Sequence, residues 1–228
     1  MSNQESKRSY VSVQSYVPLT ASSLTVTEIS RRNHINILTL SDGSTLCMPH
    51  ALFENAPWRT GSPITRASFE SWLDENEYTF AMQRAGHTLS ARSRTEHELA
   101  ETLRQAGYRE TTVNRVLTRL IQVGYIDDTA FVQSWIRHRN SSGYGQNRIR
   151  QELRMKGISE ELIANALGSQ DDDDIFSSAY RAAEKAARGK DLTNYKERQK
   201  VKAALARRGF DFDTIDSVLS DLCSVPED

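Results

Sequence analysis

The fold of this chain is decided by residues 124–158, which read GYIDDTAFVQSWIRHRNSSGYGQNRIRQELRMKGI. Near the end of this stretch, Ile149 and Leu153 have the four-residue spacing by which an amphipathic helix buries one apolar stripe. Gly157 and Ile158 follow them. If Gly157 is the left-handed residue after the helix, Leu153 and Ile158 make the hydrophobic contact of a Schellman cap. The pattern Leu-x-x-x-Gly-apolar therefore predicts a helix end.

The same helix-end pattern occurs three times, at intervals of 50 and then 52 residues. Its leucine and glycine positions are Leu103 and Gly107, Leu153 and Gly157, and Leu205 and Gly209. Each leucine is preceded by an apolar residue four positions earlier, and apolar residues stand six and ten positions after each glycine. A fixed period near fifty residues indicates an array of supersecondary units that pack on one another, because none can bury its apolar face alone.

Two motifs occupy residues 124–158. Gly-Tyr-apolar-Asp-Asp stands at residues 124–128 and is followed by a helix that carries Phe131. Gly-x-x-Arg-Ile-x-x-Glu-Leu-x-x-Lys-Gly-Ile stands at residues 145–158. Both motifs resemble those of the RecX family, bacterial regulatory proteins that bind and usually inhibit the recombinase RecA. The likeness extends over roughly residues 75–222, although the flanking repeats resemble the family in layout more than in individual residues.

The repeat and the resemblance predict a mainly α-helical chain of tandem three-helix repeats. We expect an elongated, curved array, preceded by a small N-terminal β-hairpin element of two or three strands. Asp42-Gly43 is the hairpin turn signal, whereas Gly61 and Pro63 mark a loop. The expected divisions are a disordered segment at 1–23, the hairpin element at 24–64, repeat 1 with a lead-in helix at 65–124, repeat 2 at 125–170, repeat 3 at 171–222 and a tail at 223–228.

Capping residues predict where the helices begin. We expect the opening helix of the first repeat near residues 78–89, separate from the lead-in helix. The expected caps are, in chain order, Thr65, Ser93 in a capping box with Glu96, Thr111 or Thr112, Asp127, Ser159, Asn194, and Asp211 or Asp213.

The formal net charge is −1, but the charges are unevenly distributed. Residues 181–210 hold ten basic residues and three acidic ones. We interpret the four aspartates at 171–174 as a solvated linker, because their spacing lacks the Gly and terminal Glu of an EF-hand loop. Cys47 and Cys223 stand in no metal or redox spacing, and no signal peptide or long apolar run is visible. We therefore expect a cytoplasmic protein with reduced thiols.

No residue pattern points to catalysis. The five histidines are scattered, and Glu96-His97-Glu98 lacks the second histidine that a zinc-protease helix requires. The sequence contains no phosphate-binding glycine loop and no order of Ser, His and Asp that supports a triad. We expect a non-enzymatic protein that uses neither a metal ion nor a cofactor.

Basic residues are the candidate partner-binding groups, because helical geometry places them away from the apolar stripes. A charged helix face is usually only solvated. Here basic stripes recur on adjacent helices, and an extended basic surface suits nucleic acid or a nucleoprotein filament. The candidates, here called the basic ridge, are Arg137, Arg139, Arg148, Arg150, Lys156, Arg181, Lys185, Arg188, Lys196, Lys200, Arg207 and Arg208.

Aromatic residues near the ridge are candidates for stacking on bases. Aromatic residues at helical spacing more often belong to a core, and we assign Phe131 and Trp135 to it. Tyr125 is a further aromatic residue of this region. Tyr144 lies in a glycine-flanked loop among arginines, and we expect it to be the exposed candidate.

The resemblance implies a monomeric regulator that lodges along the groove of a RecA filament on single-stranded DNA. It implies that RecA and this filament are the partners, and that ATP hydrolysis, strand exchange and LexA cleavage are damped. Two alternatives stay open. One is a direct DNA-binding protein, since three-helix units with a glycine-containing turn also describe helix-turn-helix domains. The other is a protein-only scaffold whose basic faces are solubilising. No contact with a membrane is expected.

Overall fold

The computed structural model describes residues 23–224, so the segment predicted to be disordered lies outside the described residues except for Ser23. The described chain begins with a β-sheet. Its strands are antiparallel and lie in the order β3-β2-β1-β4. They are β1 (Leu24–Arg32), β2 (Ile35–Leu40), β3 (Thr45–Pro49) and β4 (Pro63–Ile64), with the short helix α1 (His50–Phe53) after β3.

The hairpin between β2 and β3 turns at the predicted position. Gly43 has a φ of +82°, and the Asp42 carboxylate accepts hydrogen bonds from the backbone N–H and the hydroxyl of Ser44. These bonds lower the pKa of Asp42. The sheet has a fourth strand beyond the predicted two or three, because residues 63–64 pair with β1. A two-residue strand that includes a proline shows no period and resembles a loop in sequence.

The helices form three consecutive groups, which confirms the predicted mainly α-helical class with tandem three-helix units. The first group is α2 (Arg66–Ala91), α3 (Glu96–Gln105) and α4 (Glu110–Gln122). The second is α5 (Asp128–Ser141), α6 (Gln146–Met155) and α7 (Glu160–Gly168). The third is α8 (Asp172–Ala187), α9 (Tyr195–Arg207) and α10 (Phe212–Ser224), which extends into the predicted tail. Among residues 23–224, no helix has both the length and the apolar composition needed to cross a bilayer.

Helix α2 corrects the prediction of a lead-in helix followed by a separate helix at 78–89. It begins after Thr65, as predicted, and continues unbroken for 26 residues. Its buried positions recur every four residues, at Phe69, Leu73, Glu77, Ala81 and Ala85. A glutamate at the centre of this buried face interrupts the apolar pattern, and for that reason the sequence indicates two helices where one exists.

The cap of α3 also differs from the prediction. The capping box consists of Thr95 and Glu98, two residues later than Ser93 and Glu96. The Thr95 hydroxyl accepts from the Glu98 backbone N–H at 3.1 Å and donates to the backbone carbonyl of Lys156 at 2.7 Å. This second bond crosses to another repeat, and no local pattern could have predicted it.

Helix α4 begins after Arg109 without a side-chain cap, and the predicted caps Thr111 and Thr112 lie inside it. The side chain of Glu77 on α2 replaces the local cap. This carboxylate is 1% exposed and accepts from the Arg109 backbone N–H at 2.9 Å, the Arg109 guanidinium at 2.7 Å and the Thr112 hydroxyl at 2.6 Å. The start of α4 is therefore determined by a tertiary contact.

The caps of the second and third repeats include the predicted Asp127, Ser159, Asn194 and Asp211, each of which accepts a backbone N–H from the first helical turn. The acidic run at 171–174 corrects the prediction of a linker. Asp171 caps α8 and the next three aspartates form its first turn, where the helix dipole stabilises negative charge.

All three predicted helix ends have the geometry of Schellman caps. Gly107, Gly157 and Gly209 have φ values of +91°, +78° and +90°. Each glycine N–H bonds to the carbonyl three residues earlier at 2.9 Å, and the next residue bonds back to the leucine carbonyl at 3.1 to 3.3 Å. The three leucines of the pattern are fully buried. Within residues 23–224, the buried apolar residues form three separate clusters: one under the sheet and first repeat, one in the second repeat and one in the third.

Candidate partner-binding surface

The first two repeats join through the ends of α3 and α6. The carbonyl of Lys156, just past α6, accepts from the Thr95 hydroxyl at 2.7 Å, while the Lys156 ammonium donates to Glu98 at 2.8 Å. Gly157 lies so close to His97 that a Cβ on the glycine would stand 2.2 Å from the ring. The C-terminal end of one middle helix thus meets the N-terminal end of the preceding one, where their dipoles attract.

The second and third repeats join in the same way. The backbone N–H of Gly145 donates to the Arg208 carbonyl at 2.9 Å, and that of Asn147 donates to the Gly209 carbonyl at 3.0 Å. A Cβ on Gly145 would lie 2.4 Å from Gly209. The Arg208 guanidinium donates to the Gly143 carbonyl at 3.1 Å. At both seams, the residue before the cap glycine, Lys156 or Arg208, therefore connects its own repeat to a neighbouring one.

The sheet takes the place of a preceding repeat for the first one. A Cβ on Gly107 would stand 2.8 Å from the side chain of Ile35 in β2. All three helix-end glycines consequently contact the unit that precedes them in the chain.

Two ridge arginines bind a carboxylate inside the second repeat. Glu152 is 7% exposed, and its oxygens lie 2.7 Å from the Arg139 guanidinium and 3.0 Å from the Arg148 guanidinium. The indole N–H of Trp135 donates to the same carboxylate at 3.2 Å. A buried carboxylate needs such partners, because an unpaired charge in the interior is strongly destabilising.

Positively charged side chains and aromatic rings alternate in a row that runs through the second repeat and ends in the third. Each charged group lies 4.4 to 5.7 Å from the centroid of the neighbouring ring. In order, this cation–aromatic ladder consists of Phe131, Lys156, Trp135, Arg139, Tyr144 and Arg208. Phe131 and Trp135 pack on the core of the second repeat, as predicted. Tyr144 is partly buried between two guanidiniums and is therefore less exposed than predicted, while its contact with a partner stays a prediction.

The rest of the ridge is mostly open to solvent. Lys200, with a side chain 65% exposed, and Arg207 lie opposite the fully buried Val201 and Leu205, as helical geometry predicted. Arg150 is partly buried. The hydrogen bond from Arg154 lowers the pKa of Glu160, and the charge of Arg150 has a smaller effect in the same direction. The exposed members, here called the outer basic set, are Arg137, Arg181, Lys185, Arg188, Lys196, Lys200 and Arg207.

Sequence reasoning missed the acidic partners Glu98 and Glu152, and it missed Arg92 and Arg94. These two arginines line a groove of about 470 Å³ together with Tyr125, which is 72% exposed. The arginines precede α3 and Tyr125 precedes α5, so only the packing of the two repeats brings them together. Within residues 23–224, no three His, Cys, Asp or Glu side chains are grouped as metal ligands would be.

Comparison with known proteins agrees with this architecture. Family models for the first, second and third three-helix domains of RecX match residues 81–120, 127–167 and 172–219. A regulatory protein RecX from Legionella pneumophila (strain Corby) is 38% identical over 146 residues, which are 64% of this chain and 97% of the relative. The chain belongs to the RecX family. A RecX from Mycobacterium sp. (strain KMS) is 38% identical over 54% of this chain and 70% of its own length.

Solved RecX structures have the same fold. The crystal structure of RecX from Lactobacillus salivarius superposes with a TM-score of 0.61 at 26% identity, covering 66% of this chain and 99% of that one. A second crystal structure of a regulatory protein RecX has a TM-score of 0.59 at 22% identity and covers 86% and 99% of the two chains. The first RecX domain model begins within α2, whose earlier half packs against the sheet cluster.

Proposed function

We propose that this protein binds RecA and the RecA filament on single-stranded DNA, and that it inhibits the recombinase, ATPase and coprotease activities of RecA. It acts as a cytoplasmic, monomeric regulator without catalytic activity or a cofactor. The observation that carries the proposal is the match of all three repeats to RecX domains, with relatives named as regulatory proteins.

Bridging is the physical basis of the inhibition. Repeats that are joined end to end can contact neighbouring protomers of a filament at the same time. Each contact raises the effective concentration for the next one, so that weak individual contacts add up to firm binding. A regulator bound across several protomers restrains the movements of the protomers that ATP turnover and strand exchange require.

The packing of the basic ridge divides it into two roles. Arg139, Arg148, Lys156 and Arg208 are engaged within the protein, with Glu152, Glu98 and backbone carbonyls. We assign Lys156 and Arg208 to joining the repeats, and Arg139 and Arg148 to the packing of the second repeat. The outer basic set and Arg150 remain as the proposed contacts with acidic groups of the filament or its DNA.

The direct test is ATP hydrolysis by RecA on single-stranded DNA, titrated with this protein. We expect a concentration-dependent fall in the rate, and a parallel loss of RecA-stimulated LexA cleavage. A rate that stays constant at an excess of the protein would contradict the proposal.

Direct DNA binding is the second candidate function, and the exposed basic side chains of α8 and α9 favour it. Phosphate contacts would make the affinity fall steeply with salt, by roughly one unit of logarithmic slope for each contact. Binding to DNA without RecA, together with an unchanged RecA ATPase rate, would select this alternative. The protein-only scaffold predicts neither effect.

A further inference from the structure

A groove of about 470 Å³ lies where the first and second repeats meet. One side is the connection between α2 and α3, which carries Arg92 and Arg94. The other side is the turn before α5, with Tyr125, and the face of α5 that carries Trp135 and His138. This groove, here called the seam groove, contains no member of the basic ridge.

Tyr125 presents its ring to the seam groove from a well-defined turn. The Tyr125 side chain is 72% exposed. Its backbone is held in place, because Gly124 before it has a φ of +76° and the Tyr125 N–H donates to the Leu120 carbonyl at 2.9 Å. The exposed ring is not needed to fill the core. An aromatic ring on a fixed backbone loses little conformational entropy when a planar group stacks on it.

The seam groove is also suited to negative charge. The Arg92 guanidinium lies 3.5 Å from the Glu98 carboxylate, which is a long ion pair, and its side chain is 50% exposed. The Nε of Arg94 is buried without a hydrogen-bond partner in the described part of the chain. Asp127, the acidic residue among those lining the groove, already caps α5 by accepting the Ala130 N–H at 2.9 Å. Because both arginines line the groove, an anion bound there would form charge-assisted hydrogen bonds with their guanidiniums.

We propose that the seam groove binds a short segment of single-stranded nucleic acid, with one base stacked on Tyr125 and neighbouring phosphates on Arg92 and Arg94. A stacked base must be unpaired, so a single strand fits this groove and a duplex does not. An acidic peptide would neutralise the arginines but would leave the ring of Tyr125 in water. This site goes beyond the regulation of RecA proposed above, and it requires no RecA.

The test measures the fluorescence anisotropy of a labelled oligothymidine, without RecA, over a range of salt concentrations. Tyr125→Ala should weaken binding about tenfold or more, the usual effect of removing a stacking ring. Arg94→Ala should weaken binding and flatten the logarithmic salt slope by roughly one unit. The matched controls are Tyr195→Ala, which removes an equally exposed tyrosine (74%) from α9, and Arg32→Ala, which removes an exposed arginine from β1, outside the groove and the basic ridge.

Circular dichroism and thermal melting show whether each variant is folded, and Tyr125→Phe, which keeps the ring, should bind like the parent. A loss of affinity confined to Tyr125→Ala and Arg94→Ala supports the site. The proposal is overturned if the parent does not bind oligothymidine, or if the control variants lose as much affinity as the groove variants. It is also overturned if duplex DNA or polyglutamate competes as well as unlabelled oligothymidine. Because these measurements omit RecA, their outcome is separate from that of the ATPase titration.

Discussion

Two glycines at the repeat seams are required for different physical reasons. Gly157 needs a left-handed backbone, with φ of +78°, and it also touches the ring of His97. Gly145 has an ordinary φ of −87°, and only the closeness of Gly209 excludes a side chain there. At Gly157, both the backbone conformation and the lack of space therefore exclude a side chain, whereas at Gly145 only the lack of space does.

Replacing Gly157 by valine should destabilise the protein. The left-handed conformation alone costs a β-branched residue about 1–2 kcal/mol, and displacement of His97 adds to that cost. Thermal melting measures the effect. Gly86→Ala is the control, because Gly86 lies inside α2 with nothing within 4 Å of an added Cβ, and there alanine should stabilise by up to about 1 kcal/mol. A normal melting temperature for Gly157→Val would show that this cap is dispensable.

Gly145→Ala should loosen the second seam without straining the backbone. The added methyl group would lie 2.4 Å from Gly209, so the third repeat has to shift, at a cost of about 1–3 kcal/mol for overpacking. The amide of Asn147, which donates to Gly209 across this seam, should exchange its hydrogen faster than in the parent. Equal exchange rates would mean that the seam accommodates the methyl group.

At the scale of elements, the middle helices are joined by charges as well as by their ends. Burial raises the pKa of Glu98, but the hydrogen bond and charge of Lys156, with a contribution from Arg92, outweigh burial and lower it overall. The charged pair therefore stabilises the folded state above the ordinary pKa of the carboxyl. This stabilisation is lost as the pH falls through the lower pKa of the folded state.

Glu98→Gln should reduce stability at neutral pH and make the acid-induced fall of the melting temperature shallower. The reason is that an amide keeps the shape of the side chain but has no charge to protonate. Melting curves recorded from neutral to acidic pH provide the measurement. Glu70→Gln is the comparison, since the exposed pair of Glu70 with Arg66 should contribute only about 0–1 kcal/mol. If both variants behave alike, the link between α3 and α6 is no stronger than a surface ion pair.

At the scale of the whole molecule, the outer basic set is separate from the residues that hold the repeats together. Lys200 and Arg207 project from α9 on the side opposite its buried residues, and Lys200 makes a surface pair with Glu197 at 2.6 Å. Arg148, in contrast, is bound to the buried Glu152. A charge reversal at Lys200 and Arg207 should weaken binding to a partner, whereas a reversal at Arg148 should destabilise the fold.

Reversing both Lys200 and Arg207 to glutamate should weaken inhibition of the RecA ATPase while changing the stability by only about 0.5 kcal/mol. Repulsion replaces attraction wherever these residues meet phosphates or acidic side chains. The control reverses Arg32 and Arg119, which are exposed and lie outside the third repeat, and so changes the net charge equally. Should the α9 double variant melt normally and inhibit RecA as the parent does, the outer basic set is only a solvated face.

The helical class, the repeat and the family can all be inferred from the order of the amino acids. Leu153 and Gly157 determine their helix end within one turn of chain, because a Schellman cap involves only neighbouring residues. The same holds for Asp127 and Ser159, whose side chains bond to backbone N–H groups three residues later. Such short-range signals are legible without any knowledge of tertiary contacts.

Which basic and aromatic side chains are available to a partner depends, in contrast, on how the repeats pack. Lys156 pairs with Glu98, 58 positions earlier in the chain, and no period in the sequence connects them. Tyr144 and Tyr125 both stand beside glycines, yet only Tyr125 is strongly exposed, because arginines from two repeats enclose Tyr144. Exposure and pairing depend on what the seams bring together, and the seams are formed by residues far apart in sequence.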